Sequence, residues 1–301
     1  MKKVIVIVGP TAVGKSDFAI ELAKKLNGEI ISGDSIQVYQ GLDIGSGKVT
    51  QEEMDGVPHH LIDIYTTKQS YTVADFQLKA RELINQSEKP MIICGGTGLY
   101  IKACLYDYQF SDESGAGIDI DLEIYTNEEL YRQLLELDPK QSEKIHPNNR
   151  QRLLRSLTIA RRSPKVQSEM IADQEHRMLY DARIIGCTMP REQLYERINA
   201  RVEKMFEAGL QKEIEKLLQQ GVSFQDACMK GIGYREWEGF HEGKKSLEEV
   251  KEEIQKHSRQ FAKRQYTWFN HQMDVEWFEN NNSLERKAML ENLVHWYQNQ
   301  K

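Results

Sequence analysis

The segment from Gly9 to Ser16, GPTAVGKS, has the composition and spacing of a phosphate-binding loop. Four residues separate Gly9 from Gly14, and Lys15 and Ser16 follow directly. An apolar strand pattern precedes the segment and a helix pattern follows, so backbone N–H groups would form a nest for an anion. In such a loop Lys15 supplies positive charge to the phosphates, and Ser16 can ligate Mg²⁺. The sequence therefore predicts a site for a phosphorylated ligand.

A second candidate residue is Asp34, in the segment GDSIQVYQGLDIGSGK at residues 33–48. Asp34 follows the short strand pattern of residues 29–32, so it would lie at the carboxyl edge of a parallel sheet, where open α/β sheets bind ligands. It could be a Mg²⁺ carboxylate or a general base. A turn aspartate that caps a helix is the structural alternative.

The turn GGTGLY, at residues 95–100, follows another strand pattern and is the third candidate. Glycine-rich turns let a ligand or a second backbone approach closely, and Thr97 could hydrogen-bond a substrate. A plain turn is equally consistent with this segment. The adjacent histidines of PHHLIDI, at residues 58–64, would point apart on a helix or strand, so we assign them a structural or hydrogen-bonding role.

Two groups of basic side chains could contact a phosphate backbone. The window 150–165, RQRLLRSLTIARRSPK, contains no acidic residue and follows a helical pattern, although a solvated charged face would look similar. A second group lies near the end of the chain and comprises Lys256, Arg259, Lys263 and Arg264. Because the net charge is −6 and the pI about 5.8, any nucleic-acid contact must come from such local patches.

The bulk composition indicates a globular protein with reduced thiols. Of the 301 residues, 40% are hydrophobic and 29% charged. The four cysteines, Cys94, Cys104, Cys187 and Cys228, form no C-x-x-C pair and do not fit a zinc site, which favours a cytoplasmic location. MKKVIVIVG has too short an apolar run for a signal peptide, and no stretch approaches the roughly 18 apolar residues of a membrane span.

Apolar runs and helix patterns alternate along the chain. Strands are predicted at Val4–Val8, Glu29–Ser32, Met91–Cys94 and Ala182–Met189, and strands that alternate with helices imply a parallel α/β sheet. Residues 108–180 show no strong strand, so we predict a helical insertion there. The expected domains are a core formed by residues 1–107 and 181–301, and the insertion at 108–180. The chain after Pro190 is predicted to be mostly helical.

Taken together, these segments resemble the tRNA dimethylallyltransferase family, also called the tRNA isopentenyltransferases. The resemblance covers most of the chain. It rests on GPTAVGKS, GEIISGDSIQVYQGLDIG, GVPHHLIDI, YTVADF, GGTGLYI, IHPNNRQRLLRSL, LYERINARV, GIGYREW and SRQFAKRQYTWF. It implies a P-loop NTPase-like core with a central parallel sheet flanked by helices, plus a helical insertion that acts as a lid or tRNA-binding domain.

The resemblance also implies an activity. Members transfer a dimethylallyl group from dimethylallyl diphosphate to N6 of adenine 37, in tRNAs reading codons that begin with U, and release diphosphate. The implied partners are the tRNA anticodon stem-loop and the prenyl donor, with Mg²⁺ as cofactor; we expect a cytoplasmic monomer without a membrane partner. The target base would have to leave its stack to reach the site.

Roles follow from the matching residues. The family's diphosphate loop corresponds to Gly9, Pro10, Thr11, Ala12, Val13, Gly14, Lys15 and Ser16. By the resemblance, the catalytic residues are Asp34 as the base for the N6 proton, Thr11 on the diphosphate oxygens and Arg201 as a second cationic clamp; Ser16 would bind Mg²⁺. The tRNA contacts would be Asp34, Ser35, Ile36, Gln37, Thr97, Gln151, Arg152, Leu153, Leu154, Arg155, Lys230, Gly231, Ile232, Gly233, Tyr234 and Arg235. At residues 112–130 the insertion is shorter than is usual in the family and lacks an arginine, which predicts a smaller lid.

Two other functions share parts of this pattern. A small-molecule P-loop kinase would have the same loop and an aspartate after the second strand, but it leaves the basic window 150–165 and the long helical C-terminal region unexplained. A non-enzymatic RNA-binding module could use the P-loop as a regulatory nucleotide switch. The acceptor of the transferred group, or the lack of any transfer, distinguishes the three.

Overall fold

The computed structural model describes residues 1–110, 118–174 and 176–299. The segment at residues 112–130, where the insertion is predicted to be shorter, therefore lies partly outside the described residues. The chain divides into two compact units, one formed by Met1–Leu105 with Leu179–Lys301 and the other by Tyr106–Met178.

A parallel sheet forms the centre of the larger unit and confirms the predicted α/β class. Over the described residues its strands are β1 (Lys3–Val8), β2 (Glu29–Ser32), β3 (His59–His60), β4 (Met91–Cys94), β5 (Asp181–Thr188) and β6 (Glu276–Glu279). Their order is β3-β2-β4-β1-β5-β6, and every neighbouring pair is parallel. The four predicted strands correspond to β1, β2, β4 and β5.

The position of β1 follows from its residues. Val4 to Val8 are completely buried, and β-branched residues fill this run, as expected for a strand covered on both faces. β1 pairs with β4 through Val4 and Met91, and with β5 through Val4 and Ala182. The P-loop therefore leaves the middle of the sheet at its carboxyl edge.

The two edge strands were not predicted. β3 consists only of the two histidines, and β6 has a single buried residue, Phe278. His59 Nδ1 lies 2.8 Å from Val57 O, and His60 Nε2 lies 2.7 Å from a carboxylate oxygen of Glu29 on β2. The histidines thus have the hydrogen-bonding role that was predicted. Strands this short carry too few residues for a period to show.

Helices account for most of the remaining chain. In the described residues they are α1 (Lys15–Leu26), α2 (Gln51–Met54), α3 (Val73–Gln86), α4 (Gly98–Leu105), α5 (Asn127–Leu137), α6 (Pro139–Ser142), α7 (Arg150–Arg162), α8 (Gln167–Ala172), α9 (Arg191–Glu207), α10 (Leu210–Gln219), α11 (Glu238–His241), α12 (Leu247–Gln272) and α13 (Ser283–Gln298). In the larger unit, α1 packs with α13, α3 with α4, and α9 with α12. Gly209, in the left-handed region at φ 96°, separates α9 from α10.

The smaller unit contains α5 to α8 and has its own apolar core. Thr126 opens α5 with a capping box, in which its hydroxyl accepts from Glu129 N–H. The core cluster comprises Leu122, Leu130, Leu134, Ile145, Leu153, Leu154 and Leu157. Asp138 is almost fully buried; it accepts N–H bonds from Gln141 and Ser168, and so ties α6 to α8.

Candidate active site

The P-loop joins the carboxyl end of β1 to the first turn of α1. Gly9 has a φ of 140°, and a Cβ there would lie 2.5 Å from Cys187 O, so only glycine fits. Gly14 is the N-cap of α1 at φ 88°, and in the described structure no side chain caps it. The first N–H groups of α1 are therefore available for an anion, as the sequence predicts.

Lys15 lies folded back against its own loop. Its Nζ donates a hydrogen bond of 2.6 Å to Pro10 O. Burial lowers the pKa of Lys15, while the nearby thiols Cys94 and Cys187 oppose that shift. A buried ammonium is stabilised by a neighbouring anion, so a phosphate in this loop would raise the pKa of Lys15.

Arg201 of α9 reaches across to the P-loop. Its Nη1 donates to Thr11 Oγ1 and its Nη2 to Gly47 O, both at 3.2 Å. Burial lowers the pKa of Arg201, and the carboxylates of Asp34 and Glu53 oppose that effect. The structure thus brings together Thr11 and Arg201, two residues that the resemblance names as catalytic.

Asp34 and Thr97 line the same cavity because the two turns that carry them touch at the sheet edge. Gly33 N–H donates to Cys94 O at 2.8 Å, and a Cβ on Gly95 would lie 2.4 Å from Gly33 O. Asp34 Oδ1 accepts from the N–H groups of Ile36 (2.8 Å) and Gln37 (3.3 Å). In the described residues Asp34 Oδ2 has no hydrogen-bond donor. The carboxylate is therefore held by one oxygen and has the other available.

Two cavities lie beside the P-loop, and both belong to the larger unit. The first has a volume of about 430 Å³, and its polar lining includes Thr11, Asp34, Thr97, Arg201, Lys230, Arg235 and Arg264. The second has a volume of about 660 Å³, and its cationic and hydroxyl lining includes Lys15, Ser16, Lys48, Thr50, Arg197, Arg201 and Lys204. Ala12, Arg201 and Met205 line both cavities, so they mark the place where the two meet.

The apolar lining of the first cavity could accept a hydrocarbon or a base. It includes Ile36, Tyr39, Tyr71, Tyr100, Ile198, Val202, Met205, Ile232 and Phe261. The Tyr71 and Tyr100 rings lie edge to face with centroids 5.8 Å apart, and burial raises the pKa of both hydroxyls. These phenols therefore stay neutral and present a rigid, largely apolar surface.

Gln265 of α12 is a site residue for which no role is predicted from the sequence. It is 4% exposed; its Oε1 accepts from Thr11 N–H, and its Nε2 donates to Gly96 O, both at 3.0 Å. One buried amide thus joins the P-loop to the GGTG turn that carries Thr97. It belongs to the motif KRQYTWF, but no local pattern shows that its partners lie more than 160 residues away.

The segments named as tRNA contacts in the larger unit differ in how exposed they are. Ser35 and Ile36 line the first cavity, as do Lys230, Gly231, Ile232 and Arg235. Gln37 instead faces inward: it accepts from Ser32 Oγ at 3.1 Å and donates to Gly47 O at 3.3 Å. Gly233 adopts φ 97°, and Tyr234 is completely buried. These last three residues support the cavity wall.

In the smaller unit, helix α7 carries the segment from Gln151 to Arg155. Gln151 and Arg152 are exposed and Arg155 is half-buried, whereas Leu153 and Leu154 pack into the core. A contact from Leu153 or Leu154 side chains to RNA would require opening that core, so these two residues position the helix.

Several basic side chains of the window 150–165 have hydrogen-bond or ion-pair partners within the smaller unit. Arg150 donates to Tyr125 O at 2.8 Å and to Glu123 O at 2.7 Å. Arg161 donates to Gln133, Arg162 pairs with Asp119, and Lys165 pairs with Asp173. Several cations of the window therefore have partners within their own unit, and a phosphate-contacting role for the window stays a prediction. Of these cations, Arg152 is exposed and has no side-chain partner in the described structure.

The described residues contain neither a metal-binding cluster nor a membrane-spanning helix. No three His, Cys, Asp or Glu side chains cluster in a way that would hold a metal ion. Over the same residues, no helix combines the length and the hydropathy needed to cross a bilayer.

Comparisons with known proteins agree with this geometry. The family model described as IPP transferase matches residues 37–272. The tRNA dimethylallyltransferase of Anoxybacillus flavithermus is 45% identical over 299 residues, which cover 98% of this chain and 96% of the relative. The tRNA dimethylallyltransferase of Bacillus anthracis is 46% identical and covers 92% of this chain, with 91% of its own length aligned.

Solved structures give the same result. The tRNA delta(2)-isopentenylpyrophosphate transferase of Staphylococcus epidermidis has a TM-score of 0.72 at 41% identity, with 98% of this chain and 99% of that chain covered. A eukaryotic dimethylallyltransferase acting on tRNA has a TM-score of 0.83 at 28% identity, with 100% of this chain and 81% of that chain covered. The resemblance found in the sequence is confirmed: this chain belongs to the IPP transferase family.

Proposed function

We propose that this chain transfers a dimethylallyl group from dimethylallyl diphosphate to N6 of adenine 37 in tRNA, releasing diphosphate. The observation that supports this most is the convergence of two chemically different groups on one cavity. Thr11 and Arg201 supply donors for an anion, and Asp34 supplies an acceptor for a proton, with Thr97 beside it. A phosphoryl transfer and a prenyl transfer both need the first group. Removal of a proton from an exocyclic amine needs the second.

The P-loop and Arg201 act on the leaving group. When the bond between C1 of the prenyl group and the diphosphate oxygen breaks, its electron pair goes to the diphosphate. The N–H groups at the start of α1, the Lys15 ammonium and the Arg201 guanidinium would stabilise that charge. These donors are already held in place, because Arg201 is fixed by Thr11 and by the backbone of the adjacent loop. The leaving diphosphate therefore meets a preorganised site.

Asp34 acts on the nucleophile. N6 of the adenine attacks C1, the new C–N bond forms, and the surplus N6 proton moves to a carboxylate oxygen of Asp34. Hydrogen bonds to Oδ1 from Ile36 and Gln37 orient the carboxylate, and Oδ2 is the oxygen free to receive the proton. Proton transfer to a positioned side chain of this kind typically increases the reaction rate by roughly 10²–10⁴-fold.

Mg²⁺ fits this site through Ser16 together with the diphosphate. Mg²⁺ typically keeps several waters and takes few protein ligands beside substrate phosphates, so it needs no cluster of carboxylates. Ser16 lines the same cavity as Lys15, with Asp17 and Glu53 nearby in the lining. Bound there, the ion would neutralise part of the diphosphate charge.

The RNA would approach from the side of Lys230 and Arg235. Both line the cavity that contains Asp34, and Arg264 of α12 lies in the same wall. Single-stranded loop bases are the easiest to extrude from a stack, which suits a base in the anticodon loop. In the smaller unit, Gln151, Arg152 and Arg155 are the side chains of α7 that we propose for backbone contacts.

The test is a labelling assay with the prenyl donor and undermodified tRNA that carries adenines at positions 36 to 38. The wild-type protein should incorporate label, and Asp34→Ala should abolish incorporation while the circular dichroism spectrum stays unchanged. Steady ADP production with a small acceptor and no labelling would instead indicate a kinase. Tight tRNA binding without turnover would indicate a binding module.

A further inference from the structure

We propose that Glu213 of α10 is a positioning residue that fixes Arg201 and the 230–235 turn through one half-buried carboxylate; this inference rests on the proposed function. Glu213 Oε2 accepts from the N–H groups of Asp43 (3.0 Å) and Ile44 (2.7 Å). Glu213 Oε1 accepts from Gly45 N–H at 3.1 Å and from the Tyr234 hydroxyl at 2.8 Å. Three successive backbone donors form a nest around the carboxylate.

The loop held in this way carries the second partner of Arg201. Gly47 follows two residues after the nest, and its carbonyl accepts from Arg201 Nη2 at 3.2 Å. Gly47 adopts φ 57°, and a Cβ on it would overlap Arg201 Nη2, so this stretch of backbone lies directly against the guanidinium. A shift of the loop therefore shifts Arg201, which touches Thr11 of the P-loop.

The same carboxylate also holds the proposed RNA side of the cavity. Tyr234 is completely buried, and its hydroxyl, which donates to Glu213, accepts from Ser46 N–H at 3.0 Å. Gly45 packs against the Tyr234 ring, where a Cβ would lie 2.6 Å from the nearest ring atom. Tyr234 lies within the turn that places Lys230 and Arg235 in the cavity wall. Glu213 thus joins the diphosphate side of the site to the RNA side.

Only a carboxylate satisfies all four donors. A glutamine at this position offers a single carbonyl oxygen, and its NH₂ group would face two N–H or O–H donors. Hydrogen bonds to a charged acceptor are also about twice as strong as neutral ones. Glu213→Gln should therefore loosen the loop, even though it keeps the side chain's size.

The experiment compares Glu213→Gln with Glu215→Gln. Glu215 is exposed on the same helix, and its Oε1 accepts only from Gln211, at 2.9 Å, in the described residues. Because a misplacement of about 1 Å at a reacting group costs on the order of 10²-fold, we expect Glu213→Gln to lower kcat/KM for the prenyl donor by about 10- to 100-fold. Glu215→Gln should match the wild type. Glu213→Asp, which keeps the charge but has a shorter reach, should recover part of the loss.

Two further measurements separate positioning from folding and from the activity itself. In an Arg201→Ala background, Glu213→Gln should cause little further loss of pyrophosphate affinity, since Glu213 acts on the diphosphate side of the site through Arg201. Calorimetric binding of inorganic pyrophosphate should weaken in Glu213→Gln and stay unchanged in Glu215→Gln, whether or not tRNA is labelled. Tyr234→Phe, which removes one donor, should give a smaller loss in the same direction.

Equal pyrophosphate affinity and equal kcat/KM in Glu213→Gln and the wild type would overturn the inference. A full additive loss of pyrophosphate affinity in the Arg201→Ala background would also overturn it, because Glu213 would then act on the diphosphate side independently of that arginine. A wild-type protein that binds pyrophosphate but never labels tRNA would refute the proposed function instead, and the pyrophosphate comparison would still test Glu213.

Discussion

Gln265→Leu is the substitution that most directly tests how the site is assembled. The leucine is similar in size but removes both hydrogen bonds of a side chain that is 4% exposed. Thr11 N–H and Gly96 C=O would lose their partner in a buried position. An unsatisfied buried polar group costs about 1–3 kcal/mol, so the two together should cost about 2–6 kcal/mol if neither finds water.

The loss of these two hydrogen bonds should lower both the stability of the protein and its rate of catalysis. We expect a lower free energy of unfolding in urea, and a loss of kcat that persists at temperatures where the variant is fully folded. The loss of kcat should arise because Thr11 and Thr97 are carried by the two turns that Gln265 joins. Gln265→Glu should be intermediate, since one carboxylate oxygen still accepts from Thr11 N–H while the other opposes Gly96 O.

The matched control is Gln260→Leu. Gln260 is exposed on the same helix, so its substitution should change the free energy of unfolding by no more than about 0.5 kcal/mol. The reasoning is refuted if Gln265→Leu equals this control in both unfolding and kcat. A loss of stability with unchanged kcat would show that Gln265 supports the fold without aligning the two turns.

Three further outcomes are expected from the same geometry. Arg201→Lys keeps the charge but can reach only one of its two acceptors, so kcat for label transfer should fall about 10-fold or more, because one charge-assisted hydrogen bond is worth about 1.5–3 kcal/mol. Gly47→Ala should reduce activity far more than Gly56→Ala; both positions have positive φ, but only a Cβ on Gly47 meets Arg201, so similar rates in the two variants would contradict the assignment. Hydrogen bonds from Lys89 and His60 lower the pKa of Glu29. The Glu29 carboxylate should therefore stabilise the fold above its ordinary pKa, and this contribution should be lost as the pH falls through the lowered pKa. In Glu29→Gln, the free energy of unfolding measured at decreasing pH should lack this contribution.

The buried strands and the phosphate-binding loop could be predicted because each is encoded locally. Val4 to Val8 form an unbroken β-branched run, and Gly9 and Gly14 occupy the positions where the loop's backbone needs glycine. Asp34 and Thr97 follow strands, and the carboxyl ends of parallel strands meet at one edge. The sequence was therefore sufficient to place these residues at the same sheet edge.

The supporting contacts could not be predicted in this way. Gln265 and Glu213 act on loops that are distant along the chain, and nothing in their own segments indicates the partner. The edge strands β3 and β6 are too short to show a period. In the window 150–165, composition indicated free positive charge, but Arg150 and Arg162 are engaged within their own unit because nearby carbonyl and carboxylate oxygens lie in reach.

The most direct test of the account is the fate of two labels on one donor. Dimethylallyl diphosphate would carry radiocarbon in the prenyl group and radiophosphorus in the diphosphate, and would be incubated with undermodified tRNA, Mg²⁺ and the wild-type protein. We expect radiocarbon to appear in the tRNA at adenine 37 and all radiophosphorus to be recovered as free diphosphate. Radiophosphorus in the tRNA would contradict it, because phosphorus rather than carbon would then be the atom attacked.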